Sequence, residues 1–147
     1  MFTSERTPEN LIENAEGVQI KISKKVKVLH PVAEAMARNL AEVEPIRFIR
    51  ILPDLLEASS EATIGRSRIP ITKPGHPSAI GISVILSLAH EEIQFFAVTS
   101  AKKGYGGRMV DAVLRALPAG WKAFVLMDWS DGFWEYMTRR YASLKIV

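Results

Sequence analysis

Three glycines in four residues, with three cations around them, mark Ser100-Ala101-Lys102-Lys103-Gly104-Tyr105-Gly106-Gly107-Arg108 as the stretch most able to do chemistry. Glycine lets a ligand approach the main chain, and the unpaired N–H groups that open a helix attract anions. Lys102, Lys103 and Arg108 put positive charge at the same place. The flanks supply the setting. Ile93-Gln94-Phe95-Phe96-Ala97-Val98 is apolar and of strand length, and Met109, Val110, Val113, Leu114 and Leu117 then recur on one helical face. Pro118-Ala119-Gly120 stops that helix, and Ala123-Phe124-Val125-Leu126-Met127 reads as a parallel strand covered on both faces. The unit is strand, glycine turn, helix, strand, and the chemistry it suggests is phosphate binding. The plainer use of these glycines is a tight turn with positive φ.

Two familiar phosphate loops do not fit. A dinucleotide fingerprint starting at Gly104 and Gly106 needs a third small residue where Met109 stands, and no Gly-Lys-Ser/Thr run follows a four-residue gap. The stretch from Ile93 to about Tyr141 instead resembles the GCN5-related N-acetyltransferases. Their acyl-coenzyme A loop, Gln/Arg-x-x-Gly-x-Gly/Ala, follows the fourth strand and opens a long helix. Lys102-Lys103-Gly104-Tyr105-Gly106-Gly107 matches both glycines and the strand-to-helix setting. The Gln/Arg position falls on Ala101, with Lys102 beside it to supply charge. The resemblance implies that N–H groups from Lys102 to Arg108, through Gly104, Tyr105, Gly106 and Gly107, hold the pyrophosphate of acetyl-CoA. It also implies that the pantetheine arm lies along Phe96 and Val98, where the fourth and fifth strands splay apart.

Downstream, Phe133-Trp134-Glu135 resembles the Phe-Tyr-Glu of the family's next helix. The tyrosine that often protonates the departing thiolate falls on Trp134, which cannot do so; Tyr136, two positions on, takes that role only if the helix is rotated. Phe133, Trp134 and Met137 suit core packing. Asp128 and Ser130 follow the fifth strand, at the end of the sheet where open α/β folds place ligands, and are candidates for catalysis or for capping the next helix. In several relatives a glutamate near the fourth strand is the general base. Glu92 stands there, although Glu91-Glu92 also suits a solvated turn. His30 and His76 precede prolines, His90 suits a loop, and the three have no metal-ligand spacing. The family's acceptor site draws on the front segment, here His30 to Ala58, where Arg47 and Arg50, with Arg66-Ser67-Arg68 beyond, are available to an acidic acceptor or to nucleic acid.

The elements that must position these groups read as follows. Residues 1–16 form a tail or a short helix near Thr7-Pro8, and 17–147 form one domain. Val18 to Ile22 alternates as a strand, His30 to Val43 carries a helical stripe, and Ile46 to Ala58 reads as a second helix kinked at Pro53. Ala62 to Ile71 and Ala79 to Leu88 read as strands around a Pro- and Gly-rich loop, and Leu144 to Val147 ends the chain as a strand. The expected fold is α/β, a mixed, splayed sheet of about six to seven strands flanked by helices. The 147 residues, 48% of them hydrophobic, suffice for one core. With no cysteine, disulfides and thiolate chemistry are out, and the lack of a signal-like or membrane-spanning apolar run points to the cytoplasm. The net charge of +3 suits an anionic cofactor and falls short of arguing for nucleic acid unaided. The expected activity is transfer of an acetyl group from acetyl-CoA to an amine of a small molecule or protein, by direct attack on the thioester. The alternative is a repurposed member of the fold that binds protein or nucleic acid through its basic surface. Trp129 or the last strand offers a means of homodimer pairing.

Overall fold

The computed structural model describes residues 9–13, 17–65, 68–125, 133–141 and 144–146. Among the described residues eight strands form one mixed sheet in chain order, with three α-helices. The strands are β1 (Glu9–Glu13), β2 (Gln19–Ser23), β3 (Phe48–Leu52), β4 (Leu55–Ser59), β5 (Ile80–Ser87), β6 (Glu92–Ser100), β7 (Lys122–Val125) and β8 (Leu144–Ile146); the helices are α1 (Pro31–Ala41), α2 (Tyr105–Arg115) and α3 (Phe133–Arg140). From β3 to β6 the neighbours are antiparallel; β3–β4 and β5–β6 are joined by short turns, and β4–β5 by the longer segment 60–79. Each helix joins a parallel pair: α1 links β2 to β3, α2 links β6 to β7, and α3 links β7 to β8.

The core follows from the two-residue period of the strands. Ile20, Ile22, Ile49, Ile51, Leu56, Ala58, Ile82, Val84, Phe95 and Val125 are buried, and cross-strand pairing aligns them on one face of the sheet. The buried residues of all three helices join that single apolar cluster. Trp134 meets Phe95 with ring centres 5.2 Å apart, and Asn39 Nδ2 donates to the Ala112 carbonyl at 2.9 Å, tying α1 to α2. The other face carries half-buried polar groups, Arg50 and Glu57 among them, 3.5 Å apart. Burial raises the Glu57 carboxyl above its ordinary value, and the Arg50 charge opposes that rise.

Several elements differ from the sequence reading. Ile46 to Ala58 is not a helix but the β3–β4 hairpin. Phe48-Ile49-Arg50-Ile51-Leu52 is alternating and β-branched, and Pro53-Asp54 supplies the turn instead of a kink. Glu9–Glu13, expected within a tail or short helix, is a strand paired with β2 and brings the count to eight. The described residues of Ala62 to Ile71 form no strand, and Ala62 and Pro70 make an isolated bridge. Of the run Ala123 to Met127, Ala123 and Val125 are buried and Phe124 half-buried, while Leu126 and Met127 lie outside the described residues. No helix among the described residues is long and apolar enough to cross a membrane.

Two features shape the end of β6. First, the β5–β6 register slips between Ser83 and Val84, so Phe96 is an extra residue with no opposite number. Such a bulge bends its strand and re-aims the side chains beyond it. Second, β7 pairs with β6 only from Glu92 to Phe95, whereas β6 continues to Ser100. The described residues of β7 end at Val125, opposite Phe95.

Candidate functional site

The segment between β4 and β5 fixes the end of β6 from the sheet face opposite the helices. Thr99 Oγ1 donates to the Thr72 carbonyl at 2.6 Å, and the Ala101 N–H donates to the Ala79 carbonyl at 3.2 Å. A Cβ on Gly81 would stand 2.6 Å from the Ile71 oxygen and 2.9 Å from the Ala58 oxygen, so this strand glycine is what allows the segment to lie so close. Past Ser100, whose hydroxyl donates to the Lys102 carbonyl, the chain turns at Gly104 with φ +97° and enters α2.

The first turn of α2 lacks what normally stabilises a helix start. Its cap is Gly104, with no side-chain hydrogen bond, and its first turn holds no acid. Gly106 and Gly107 each weaken the helix by about 0.5–1 kcal/mol relative to alanine. Lys102, Lys103 and Arg108 oppose the positive dipole end. α1 shows the ordinary arrangement in the same protein: His30 Nδ1 caps the Val32 N–H at 3.1 Å, Pro31 opens the helix, Glu34 is in the first turn and Arg38 in the last.

The three glycines are there for different reasons. Gly104 has the left-handed backbone that glycine favours. A Cβ on Gly106 would lie 3.4 Å from the Phe133 ring and 3.6 Å from Val98 Cγ1, so there glycine permits close packing of α3 and β6 on α2. Gly107 has neither reason: its φ is ordinary and a Cβ there would meet nothing within 4 Å. The fold does not require glycine at 107.

Gly107 faces a cavity of about 570 Å³ between α2 and α3. Lys102, Lys103, Gly104, Gly106, Gly107 and Arg108 line its α2 side, and Phe133, Tyr136, Met137 and Arg140 line its α3 side. Four cations thus border one cavity. Asp111, also in the wall, is engaged at once by Arg115 Nε, which donates to it at 2.8 Å, and by the Tyr141 hydroxyl, which donates to its other oxygen. The Tyr141 hydrogen bond, then those of Arg115 and the charges of Arg115 and Arg140, hold the Asp111 carboxyl below its ordinary value against some burial. Burial and the Asp111 carboxylate push the Tyr141 hydroxyl up.

The expected site residues therefore fall into groups. Lys102, Lys103, Gly104, Gly106, Gly107, Arg108 and Tyr136 come together, Tyr136 being 54% exposed on the α3 wall. Val98 lies under Gly106. Tyr105 is half-buried, with the Arg108 guanidinium over its ring at 5.1 Å, and does not line the cavity. Phe96 is 48% exposed at the bulge and does not line the cavity. Glu92 is not brought to the site: it begins β6 opposite Ser87 and Lys122, about 26 Å along the strand from Ser100. Glu91 forms the turn before it, with φ 55°. Asp128, Ser130 and Trp129 lie outside the described residues, as do Arg66 and Ser67. Trp134 and Met137 are buried, in keeping with a packing role.

Arg140 is the residue that sequence reasoning missed. It was legible as the last member of a stripe, since Phe133, Tyr136, Met137 and Arg140 are spaced three, four and seven apart and share one helix face. The histidines serve as turn and cap residues: His76 Nδ1 accepts from the Ser78 and Ala79 N–H groups, and His90 Nδ1 meets Ser87 Oγ at 2.9 Å. No cluster of three or more metal-ligating side chains occurs among the described residues.

In comparisons with known proteins, no family model, no curated protein and no solved structure matches this chain.

Proposed function

We propose that the protein is an acyltransferase that takes acetyl-CoA and passes its acetyl group to an amine. The observation that carries this reading is the first turn of α2, whose uncapped, acid-free, glycine-rich and cation-flanked start is unfavourable for a bare helix. An anionic ligand relieves each defect: it accepts from the free N–H groups, matches the dipole, neutralises the lysines and uses the space at Gly107. A pyrophosphate is the anion that fits a turn of this kind, and the resemblance of Gly104-Tyr105-Gly106-Gly107 to an acyl-coenzyme A loop names the carrier. Beside it runs the end of β6 from Phe96 to Ser100, along which the resemblance lays the pantetheine arm.

In the reaction so inferred, a neutral amine attacks the thioester carbonyl, a C–N bond forms, the C–S bond breaks, and the amine's proton passes to a base or water. The protein's part is to hold both reactants in line. Glu92 lies far from the phosphate end but only four residues along β6 from Phe96, where the arm is expected to run, so it stays a candidate for that base. Tyr136 borders the phosphate-end cavity, which suits ligand binding better than protonation of the thiolate. Asp128 and Ser130 stay candidates by their place after β7. A cytoplasmic location, where acetyl-CoA is made available, belongs to the same reading, as does an amine acceptor of small-molecule or protein origin.

The alternative of a basic surface for nucleic acid is less well supported. Lys24, Lys25 and Lys27 follow β2 at the end of the sheet where β6 begins, opposite to the glycine turn, so the cations do not form one stripe. Calorimetric titration of acetyl-CoA, followed by a free-thiol assay with an amine panel, tests the proposal. Micromolar binding with amine-dependent thiol release supports it. Binding without release from any amine leaves a coenzyme-binding protein, and no binding at millimolar ligand refutes the coenzyme site.

A further inference from the structure

We infer that Arg140 forms a second anion subsite, which reads the 3′-phosphate of coenzyme A separately from the pyrophosphate; this rests on the coenzyme reading above. At one end of the cavity the Phe133 ring packs on Gly106, in the first turn of α2. At the other, Tyr141 donates to Asp111, a turn and a half further along α2. Arg140 is seven residues past Phe133, about 10 Å along the α3 axis. A pyrophosphate seated on the N–H groups of Tyr105, Gly106 and Gly107 has its two phosphorus atoms one oxygen apart and does not reach Arg140. A ligand that uses all four cations therefore carries two anionic positions with a neutral body between them.

The wall between these positions has that character: Phe133, Tyr136 and Met137 separate Arg140 from the helix mouth. The adenosine of coenzyme A, with pyrophosphate on one side of the ribose and a monophosphate on the other, has the same pattern. Arg140 is suited to the second position. Its guanidinium lies over the Tyr141 ring, 5.6 Å from the centroid, and a guanidinium stacked on an aromatic ring still presents its in-plane N–H fork to a phosphate. Asp111, the one carboxylate among the described residues of the wall, is already engaged by Arg115 and Tyr141, which limits its repulsion of an incoming anion.

The test is competitive titration of acetyl-CoA and its 3′-dephospho form against wild type, Arg140→Gln and Arg139→Gln. Arg139 is the exposed neighbour that does not line the cavity, and so controls for general electrostatics. Wild type is expected to prefer the 3′-phosphorylated ligand by about ten-fold, the effect of one charge-assisted contact. Arg140→Gln should erase the preference by weakening only the phosphorylated ligand, and Arg139→Gln should keep it. Equal wild-type affinity for the two ligands, or a preference that survives Arg140→Gln, overturns the subsite while leaving the coenzyme site standing. Failure of both ligands to bind wild type removes the coenzyme reading, and the subsite with it.

Discussion

Replacing Gly107 by glutamate should make the protein more stable and abolish its ligand binding. The position is the third of α2, counted from the Gly104 cap. Replacing a helical glycine with a good helix former returns about 0.5–1 kcal/mol. A carboxylate in the first turn adds about 0.3–1 kcal/mol through the dipole, and Lys102, Lys103 and Arg108 stand nearby to reinforce it. No steric term opposes this, because a Cβ at 107 meets nothing within 4 Å. The sum, about 1–2 kcal/mol, corresponds to a melting temperature higher by roughly 2–8 °C for a domain of this size. The same carboxylate occupies the space and charge complement that the pyrophosphate uses, so acetyl-CoA affinity should fall at least about 100-fold, equivalent to losing about 3 kcal/mol of charge-assisted contacts. Scanning calorimetry and titration on one preparation read both effects. A variant that melts higher yet binds acetyl-CoA as tightly as wild type refutes the assignment of this turn to the phosphates. A variant that melts lower shows that glycine at 107 is structural after all. Gly106 is a poorer choice for the experiment, since anything larger than alanine there must displace the Phe133 ring.

Three other perturbations test separate parts of the structure. Changing Lys102 and Lys103 together to alanine should weaken acetyl-CoA binding about ten-fold at low ionic strength, with a difference that shrinks as salt rises; titrations across a salt series would show it, and a salt-independent loss would contradict an electrostatic role. Gly81→Ala should cost about 3 kcal/mol and lower the melting temperature by roughly 6–12 °C, because its Cβ meets two backbone oxygens; a near-neutral melting curve would mean that the 60–79 segment is not held as described. Tyr141→Phe should cost about 1 kcal/mol at neutral pH by removing the hydrogen bond to Asp111. The folded Asp111 carboxyl is depressed, so its contribution is present above about pH 4 and lost as pH falls through the lowered value. Denaturant titrations over that range should show a shallower acid loss in Tyr141→Phe than in wild type; identical acid slopes would argue against the contact.

Much of the back half was legible because it follows short-range rules. The apolar run before Ser100, the glycine turn and the one-sided stripe from Met109 to Leu114 fix strand, turn and helix locally, and α2 begins where Gly104 directs it. Ile46 to Ala58 was harder, since short apolar runs around a proline suit a kinked helix or a hairpin alike. The hairpin exists because β2 and β5 flank it and complete its hydrogen bonds, which is information from distant residues. β1 is of the same kind: Glu9–Glu13 has only Leu11 and Ile12 as apolar residues and becomes a strand through its pairing with β2.

For the site, local sequence carried the chemistry on offer: a glycine-rich turn and the cations around it. Composition and local period suffice for that, because they depend only on neighbours within a turn or a strand. Tertiary structure alone decided which of those groups meet. The length of β6 carries Glu92 away from the glycine turn, and the packing of Phe133 on Gly106 sets α3 beside α2, so that Tyr136 and Arg140 face the same cavity as Lys102, Lys103 and Arg108. It also separated the glycines by role, two explained by backbone and packing and Gly107 by neither. A one-dimensional pattern cannot make that distinction, because the space around a missing Cβ is a property of the residues folded around it.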